Sequence, residues 1–282
     1  MRSRFVLVLV STVMGLLIVT GCAADPEPSP APHGSSSSAV ALPPTGAEMD
    51  YQLGGAYSPP DGVAVVARDR TEARPDVDYA ICYVNGFQTQ PGEQADWPSS
   101  VLLRDESGDP VIDPDWPDEV LLDTRTSASR AAILEVVGPW IDGCSAAGYN
   151  AVEFDNLDTY TRSDGVLTRA DAITLARAFV ARAHADGLAA AQKNAAEDVV
   201  AMHAKAGFDF AVTEECAQFD ECSAYTDVYG PHVLDIEYTD AQDVPITTLC
   251  RDRPDGMSAV LRDRDLVSPD DSAYVRQSCP AE

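Results

Sequence analysis

Hydrophobic positions along the chain follow two alternating periods. Ile133, Val136, Val137, Trp140, Ile141 and Cys144 recur at helical spacing and stop before Gly148. Ile173, Ala176, Phe179, Val180 and Ala183 do the same before Gly187, with Thr168 and Asp171 where an N-terminal cap belongs. A glycine just past a helix takes a left-handed conformation cheaply, so both helices carry a stop signal. Between such stretches lie short apolar or β-branched runs. They predict strands at Tyr51–Gly54, Gly62–Ala67, Tyr79–Val84, Ala151–Asp155, Leu188–Lys193, Asp209–Glu214, His232–Glu237 and Met257–Leu261, with a weaker run at Val120–Asp123.

These runs share a register. Gly148 is followed seven residues later by Asp155, Gly187 by Asn194, Gly207 by Glu214 and Gly230 by Glu237. Gly62 with Asp69 and Gly256 with Asp263 keep the same spacing. A repeated unit of glycine, strand and polar end points to βα repeats around a parallel sheet. Eight strands with helices between most of them predict an α/β fold, a (β/α)8 TIM barrel. An open doubly wound sheet is the alternative, weakened because no G-x-G-x-x-G follows the first strand.

The N-terminus reads differently. Met1–Arg4 carries two arginines, and Phe5–Val19 is apolar apart from Ser11, Thr12 and Gly15. That is the layout of a signal peptide. It ends in Val19-Thr20-Gly21-Cys22, which looks like a bacterial lipobox. The expectation is a lipoprotein signal peptide at 1–21, a diacylated Cys22, a flexible Pro/Ser-rich tether at 22–46 and a folded domain at 47–282. Acyl chains on Cys22 would hold the domain on the outer face of the cell membrane, as its one membrane contact.

Composition narrows the functional classes. Hydrophobic residues make up 45 % of the 282, enough for a core, so global disorder is excluded. With 46 acidic and 19 basic side chains the net charge is −27. Such a chain repels phosphate backbones, which argues against nucleic acid, and it suits a cationic substrate. With Cys22 set aside, Cys82, Cys144, Cys216, Cys222, Cys250 and Cys279 remain, an even number that implies disulfides in an exported domain. Cys216 and Cys222 bracket a short loop and are expected to pair. Cys250 with Cys279 would tie down the C-terminus, leaving Cys82 with Cys144. No Cys-x-x-Cys spacing supports zinc, so no metal is expected there.

In a barrel, functional residues lie at the C-terminal ends of the strands. Those ends carry Asp155-Asn156, Lys193-Asn194, Glu214-Glu215 and Glu237-Tyr238. Paired carboxylates suit glycoside hydrolysis: one protonates the leaving oxygen and the other attacks the anomeric carbon or activates water. Asp155, Asp158 and Glu214 could instead be oxygen ligands of a divalent cation, but no EF-hand spacing appears. G-x-S-x-G is absent, which argues against a serine hydrolase. Tyr83, Trp97, Trp116, Tyr160 and Tyr238 are candidates for stacking on sugar rings. Strand alternation complicates the choice of acid. With Val152 and Phe154 against the helices, Asp155 points inward. The same placement of Phe210 and Val212 would turn Glu215 inward instead of Glu214, which the seven-residue register favours.

Taken in order, Tyr51-Gln52-Leu53-Gly54, Cys82-Tyr83-Val84-Asn85, Glu153-Phe154-Asp155-Asn156-Leu157-Asp158, Gln192-Lys193-Asn194, Asp209 through Cys216 with Glu221-Cys222, and Glu237-Tyr238 carry a resemblance. Across about residues 49 to 262 the chain resembles glycoside hydrolase family 114, the endo-α-1,4-polygalactosaminidase family. The resemblance implies a TIM barrel that hydrolyses an α-1,4-linked galactosamine polymer, cationic when deacetylated, with retention and no cofactor. It implies Asp155 as nucleophile and Glu214 as acid/base. Tyr83, Asn156, Asp158, Lys193, Asn194, Glu237 and Tyr238 would line the subsites. A monomer is expected. A catalytically silent carbohydrate-binding lipoprotein on the same barrel is the reading from another class, and a metal-dependent deacetylase is a third.

Overall fold

The computed structural model describes residues 40–241 and 245–281. The expected signal peptide, Cys22 and most of the tether lie outside them. Three strands open the domain with no helix between them: β1 (Met49–Gln52), β2 (Val65–Asp69) and β3 (Tyr79–Asn85). Strands and helices then alternate: α1 (Ser127–Ala146), β4 (Ala151–Asp155), α2 (Arg169–Ala185) and β5 (Ala189–Lys193). Next come α3 (Val199–Ala201), continued by a π-helical turn at Met202–Ala206, and β6 (Phe210–Glu214). The domain ends with α4 (Cys222–Tyr229), β7 (Val233–Tyr238), α5 (Ile246–Asp252), β8 (Ser258–Arg262) and β9 (Arg276–Ser278).

Strands β1 to β8 pair in parallel and in chain order, and β9 adds antiparallel to β8. A doubly wound sheet would reverse its strand order partway, so the open alternative is excluded. The sheet curls into a nearly closed TIM-type barrel. At the seam, Met49 N donates to Ser278 Oγ (3.4 Å) and Arg276 Nη2 donates to the Met49 carbonyl (3.0 Å). Fully buried Arg262 reaches from β8 to β1, donating to Asp50 Oδ1 (2.9 Å) and to the Tyr51 carbonyl.

The barrel interior mixes large and small side chains. Met49, Tyr51, Tyr79 and Phe210 fill the space left by Ala67, Ala151, Ala189 and Ala191. Tyr79 meets Phe210 edge-on with ring centroids 6.3 Å apart. On the outer face Val152, Phe154, Ala190 and Ala211 pack under the helices. Phe154 stacks on Phe179 of α2 at 5.3 Å. Gly86 permits this packing, since a Cβ there would sit 2.7 Å from the Phe179 ring. The α2 cap is the expected one: Thr168 Oγ1 accepts from Asp171 N (3.2 Å) and donates to Asp171 Oδ2 (2.6 Å).

All six register glycines have positive φ and precede strands. Several boundaries move. β1 lies two residues earlier than expected, because Gly54 sits in a turn where a Cβ would come within 2.5 Å of the Asp265 carbonyl. β2 starts at Val65, not Gly62, and continues to Asp69. The run at Val120–Asp123 makes isolated bridges with Gln88, Leu102 and Ile112 and is not a barrel strand. Residues 40–46, expected in the tether, belong to the folded domain. Tyr79 Oη donates to the Ala41 carbonyl, His232 Nδ1 lies 3.0 Å from the Pro43 carbonyl, and Gly46 N donates to the Gly256 carbonyl. The disulfides are Cys82–Cys144, Cys216–Cys222 and Cys250–Cys279. They consume the thiols a zinc site would need. Among the described residues no helix is long and apolar enough to cross a membrane.

Candidate active site

The C-terminal ends of the strands open into a cleft of about 830 Å³. Alternation decides which side chains reach it. On β4, Ala151, Glu153 and Asp155 face inward, opposite to Val152 and Phe154. On β6, Phe210 and Val212 belong to the barrel interior, so Glu214 faces inward as well. Phe210 and Val212 do not pack against the helices, so alternation agrees with the seven-residue register in turning Glu214 inward. Small neighbours on β4 and β5 leave interior room for the large Phe210. Glu215 has φ of 60° and binds Arg264 at the rim through two contacts of 2.8 and 3.1 Å.

Lys193, at the end of β5, stands between the two acids. Its Nζ lies 3.3 Å from Asp155 Oδ2 and 2.7 Å from Glu214 Oε2. Asp155 also accepts from Tyr83 Oη (2.7 Å) and from Asn156 N (2.7 Å). Glu214 accepts from Asn194 Nδ2 (2.9 Å) and from Tyr238 Oη. Asn194 Oδ1 takes the Glu214 amide in return (2.8 Å). Tyr238 in turn lies under the Arg264 guanidinium, 4.1 Å from its ring centre.

The charges follow from this packing. Burial works against the Lys193 ammonium, but Asp155 and Glu214 outweigh it and hold the lysine charged. Burial pushes Glu214 up, yet Lys193, Tyr238 and Asn194 together bring it below the usual carboxylate range. Burial also raises the Tyr83 and Tyr238 hydroxyls, so both remain donors. One layer deeper, Glu153 is fully buried and accepts from Tyr51 Oη (2.6 Å), while its Oε2 meets no polar partner. Burial pushes its pKa up to about 8. A carboxyl with one unpaired oxygen in the barrel interior favours its neutral form.

Asn156 and Asp158 line the cleft with Tyr83, Lys193, Asn194 and Tyr238. Asp158 pairs with Arg162 Nη1 (2.9 Å), and Arg162 Nη2 donates to Asn156 Oδ1 (3.2 Å). Glu237, expected among the subsites, is elsewhere. It sits on the outer face of β7, where its Oε1 accepts from Ala217 N (2.8 Å) and Gln218 N (3.3 Å). The cause is parity: β7 places Leu234, Ile236 and Tyr238 inward, so its odd positions point out. As for the divalent-cation reading, the space between Asp155 and Glu214 holds an ammonium, and Asp158 is committed to an arginine. Sequence reasoning missed Arg162, Arg264, Glu119 and Phe219, which also line the cleft. The lone aromatic inside the Cys216–Cys222 loop was a readable signal for the last of these.

Two acids bridged by a lysine stand at the C-terminal mouth of the parallel barrel, where TIM-barrel enzymes carry their active sites. Residues 29–282 match glycoside-hydrolase family GH114, and the chain belongs to that family. Its barrel resembles the crystal structure of Aspergillus fumigatus Ega3 in complex with galactosamine, at 21 % identity and a TM-score of 0.66. That likeness covers 87 % of this chain and 100 % of the other. It also resembles the glycoside hydrolase domain of PelA from Pseudomonas aeruginosa, at 13 % identity and a TM-score of 0.56, over 83 % of this chain and 98 % of that domain. No curated protein matches.

Proposed function

We propose that this glycoside hydrolase cleaves an α-1,4-linked galactosamine-type polysaccharide with retention, using Asp155 as nucleophile and Glu214 as acid/base. The observation that carries the reading is the shared lysine. With Nζ at 3.3 Å from one carboxylate oxygen and 2.7 Å from the other, those oxygens are within about 6 Å of each other. That bound supports the short carboxyl spacing of about 5–5.5 Å found in retaining pairs, against about 6.5–9.5 Å in inverting ones. Asp155 attacks the anomeric carbon as the glycosidic C–O bond breaks, and Glu214 gives its proton to the leaving oxygen. Water then hydrolyses the glycosyl ester, with Glu214 taking a proton back.

Glu214 must be protonated for the first step. Burial is the force that favours this, and a sugar that expels water from the cleft strengthens it. A working range on the acid side of neutrality follows. The excess of acid supports a cationic substrate: ten acidic and three basic side chains line the cleft. The galactosamine bound by the Ega3 structure agrees with that. For location, Val19-Thr20-Gly21-Cys22 supports an extracytoplasmic domain tethered by lipid.

The test uses partly deacetylated α-1,4-galactosaminogalactan with oligomer release read by mass spectrometry. The wild type releases oligomers, and Asp155→Asn and Glu214→Gln each lose activity by about 10³-fold or more. Early products carry the α-anomeric configuration by NMR. An active Asp155→Asn variant overturns the assignment, and β-configured early products overturn retention. Tight retention on the polymer without release supports the silent binding protein instead.

A further inference from the structure

Among the described residues, two aromatic side chains stand exposed: Trp116 at 59 % and Phe219 at 63 %. Both line the cleft. An aromatic ring exposed at a cleft edge offers a flat apolar face that a ligand ring can cover. Their positions flank the chemistry. Trp116 follows β3 and Phe219 follows β6, so β4, β5 and β6 bring Asp155, Lys193 and Glu214 between them around the mouth.

Each ring sits on a pinned turn. Fully buried Asp113 accepts from Asp115 N (2.9 Å) and Trp116 N (3.3 Å) through one oxygen, and from Arg162 Nε (2.7 Å) through the other. The Phe219 loop is closed by the Cys216–Cys222 disulfide. From behind the wall Glu237 takes the amides of Ala217 and Gln218, and Asp235 Oδ1 takes that of Cys216 (3.2 Å). Three restraints on so short a loop present the ring at a fixed place, which is what stacking on a rigid pyranose requires.

We propose that Trp116 and Phe219 are stacking platforms for two sugar rings of one polymer chain, one on each side of the bond that is cut. The proposal rests on the glycosidase reading above and adds the residues that select a polymer over a short glycoside. Asp115 next to Trp116, and Glu221 with Glu197 near Phe219, give each platform acidic neighbours suited to amino groups on the stacked rings. Glu237 is then a positioning residue, acting through the loop and not by touching substrate.

The test compares Trp116→Ala and Phe219→Ala with the parent on the galactosaminogalactan and on 4-nitrophenyl α-galactosaminide. Each variant is expected to lose about tenfold in kcat/KM on the polymer, mostly through KM, and to lose several-fold less on the short glycoside. Trp116→Phe and Phe219→Tyr restore most of the loss, and Tm is unchanged in all four. In an Asp155→Asn background the alanine variants bind the polymer about tenfold more weakly in affinity electrophoresis. Cleavage and binding within about twofold of the parent for both alanine variants overturn the platforms while leaving the enzyme standing. A parent that neither binds nor cleaves the polymer overturns the function and the platforms together.

Discussion

Lys193 sets the ionisation of the acid opposite it. By holding Glu214 below the usual carboxylate range, it lowers the pH at which that residue can still donate a proton. Lys193→Met removes this hold, so the Glu214 pKa rises and the basic limb of the kcat/KM profile moves to higher pH. Rate at the optimum falls by about 10²-fold as Asp155 loses its neighbour. Glu153 gives a stability prediction of defined sign. Its pKa is about 8 when folded against 4.5 ordinarily, so between those values the folded chain binds a proton that the unfolded chain releases. Stability therefore declines as pH rises through that window, by a few (~3) kcal/mol. Urea titrations at pH 5 and pH 8 should show the decline in the wild type and a flatter response in Glu153→Gln. The glycine register marked Asp155 and Glu214 because both stand seven residues past their glycines and face the axis. Glu237 stands at the same distance but on a strand of opposite parity. Glu153 was hidden because a glutamate within a strand ordinarily reads as a solvent-facing position.

At the level of elements, the sharp ends of β4, β5 and β6 define the site. The residues that follow the three key side chains are left-handed: Asn156 (φ 62°), Asn194 (47°) with Ala195 (62°), and Glu215 (60°). These bends stop each strand where Asp155, Lys193 and Glu214 reach the cleft. Asparagine tolerates that conformation through local hydrogen bonds, whereas alanine has no polar atom to offset it. Ala195→Gly should stabilise the domain by about 1 kcal/mol, raising Tm by about 2–4 °C in calorimetry with activity retained. Both long helices were legible from their apolar period and their glycine stops. The segment from 86 to 126 was not, since it has no period and its pairings are isolated bridges. It nevertheless supplies Trp116 and Glu119 to the cleft.

For the whole molecule, the order of strands was readable, because each repeat announced itself locally. Closure was expected from the count of eight strands, but the contacts that make it were not, since they join side chains more than two hundred residues apart. Arg262 makes the main polar link across it, and Asp50 is buried with it. Arg262→Met leaves that carboxylate without its principal cation and should cost about 3–5 kcal/mol in urea denaturation. The same seam has a consequence for biogenesis. Met49 finds Ser278 at a sequence separation of 229 residues. A chain emerging N-terminus first must therefore leave the outer side of β1 uncovered until nearly all of the domain has been made. An unpaired strand edge is a template for association. Nascent or truncated forms lacking β9 would be the aggregation-prone species, which makes the β9 segment the checkpoint on covering that edge.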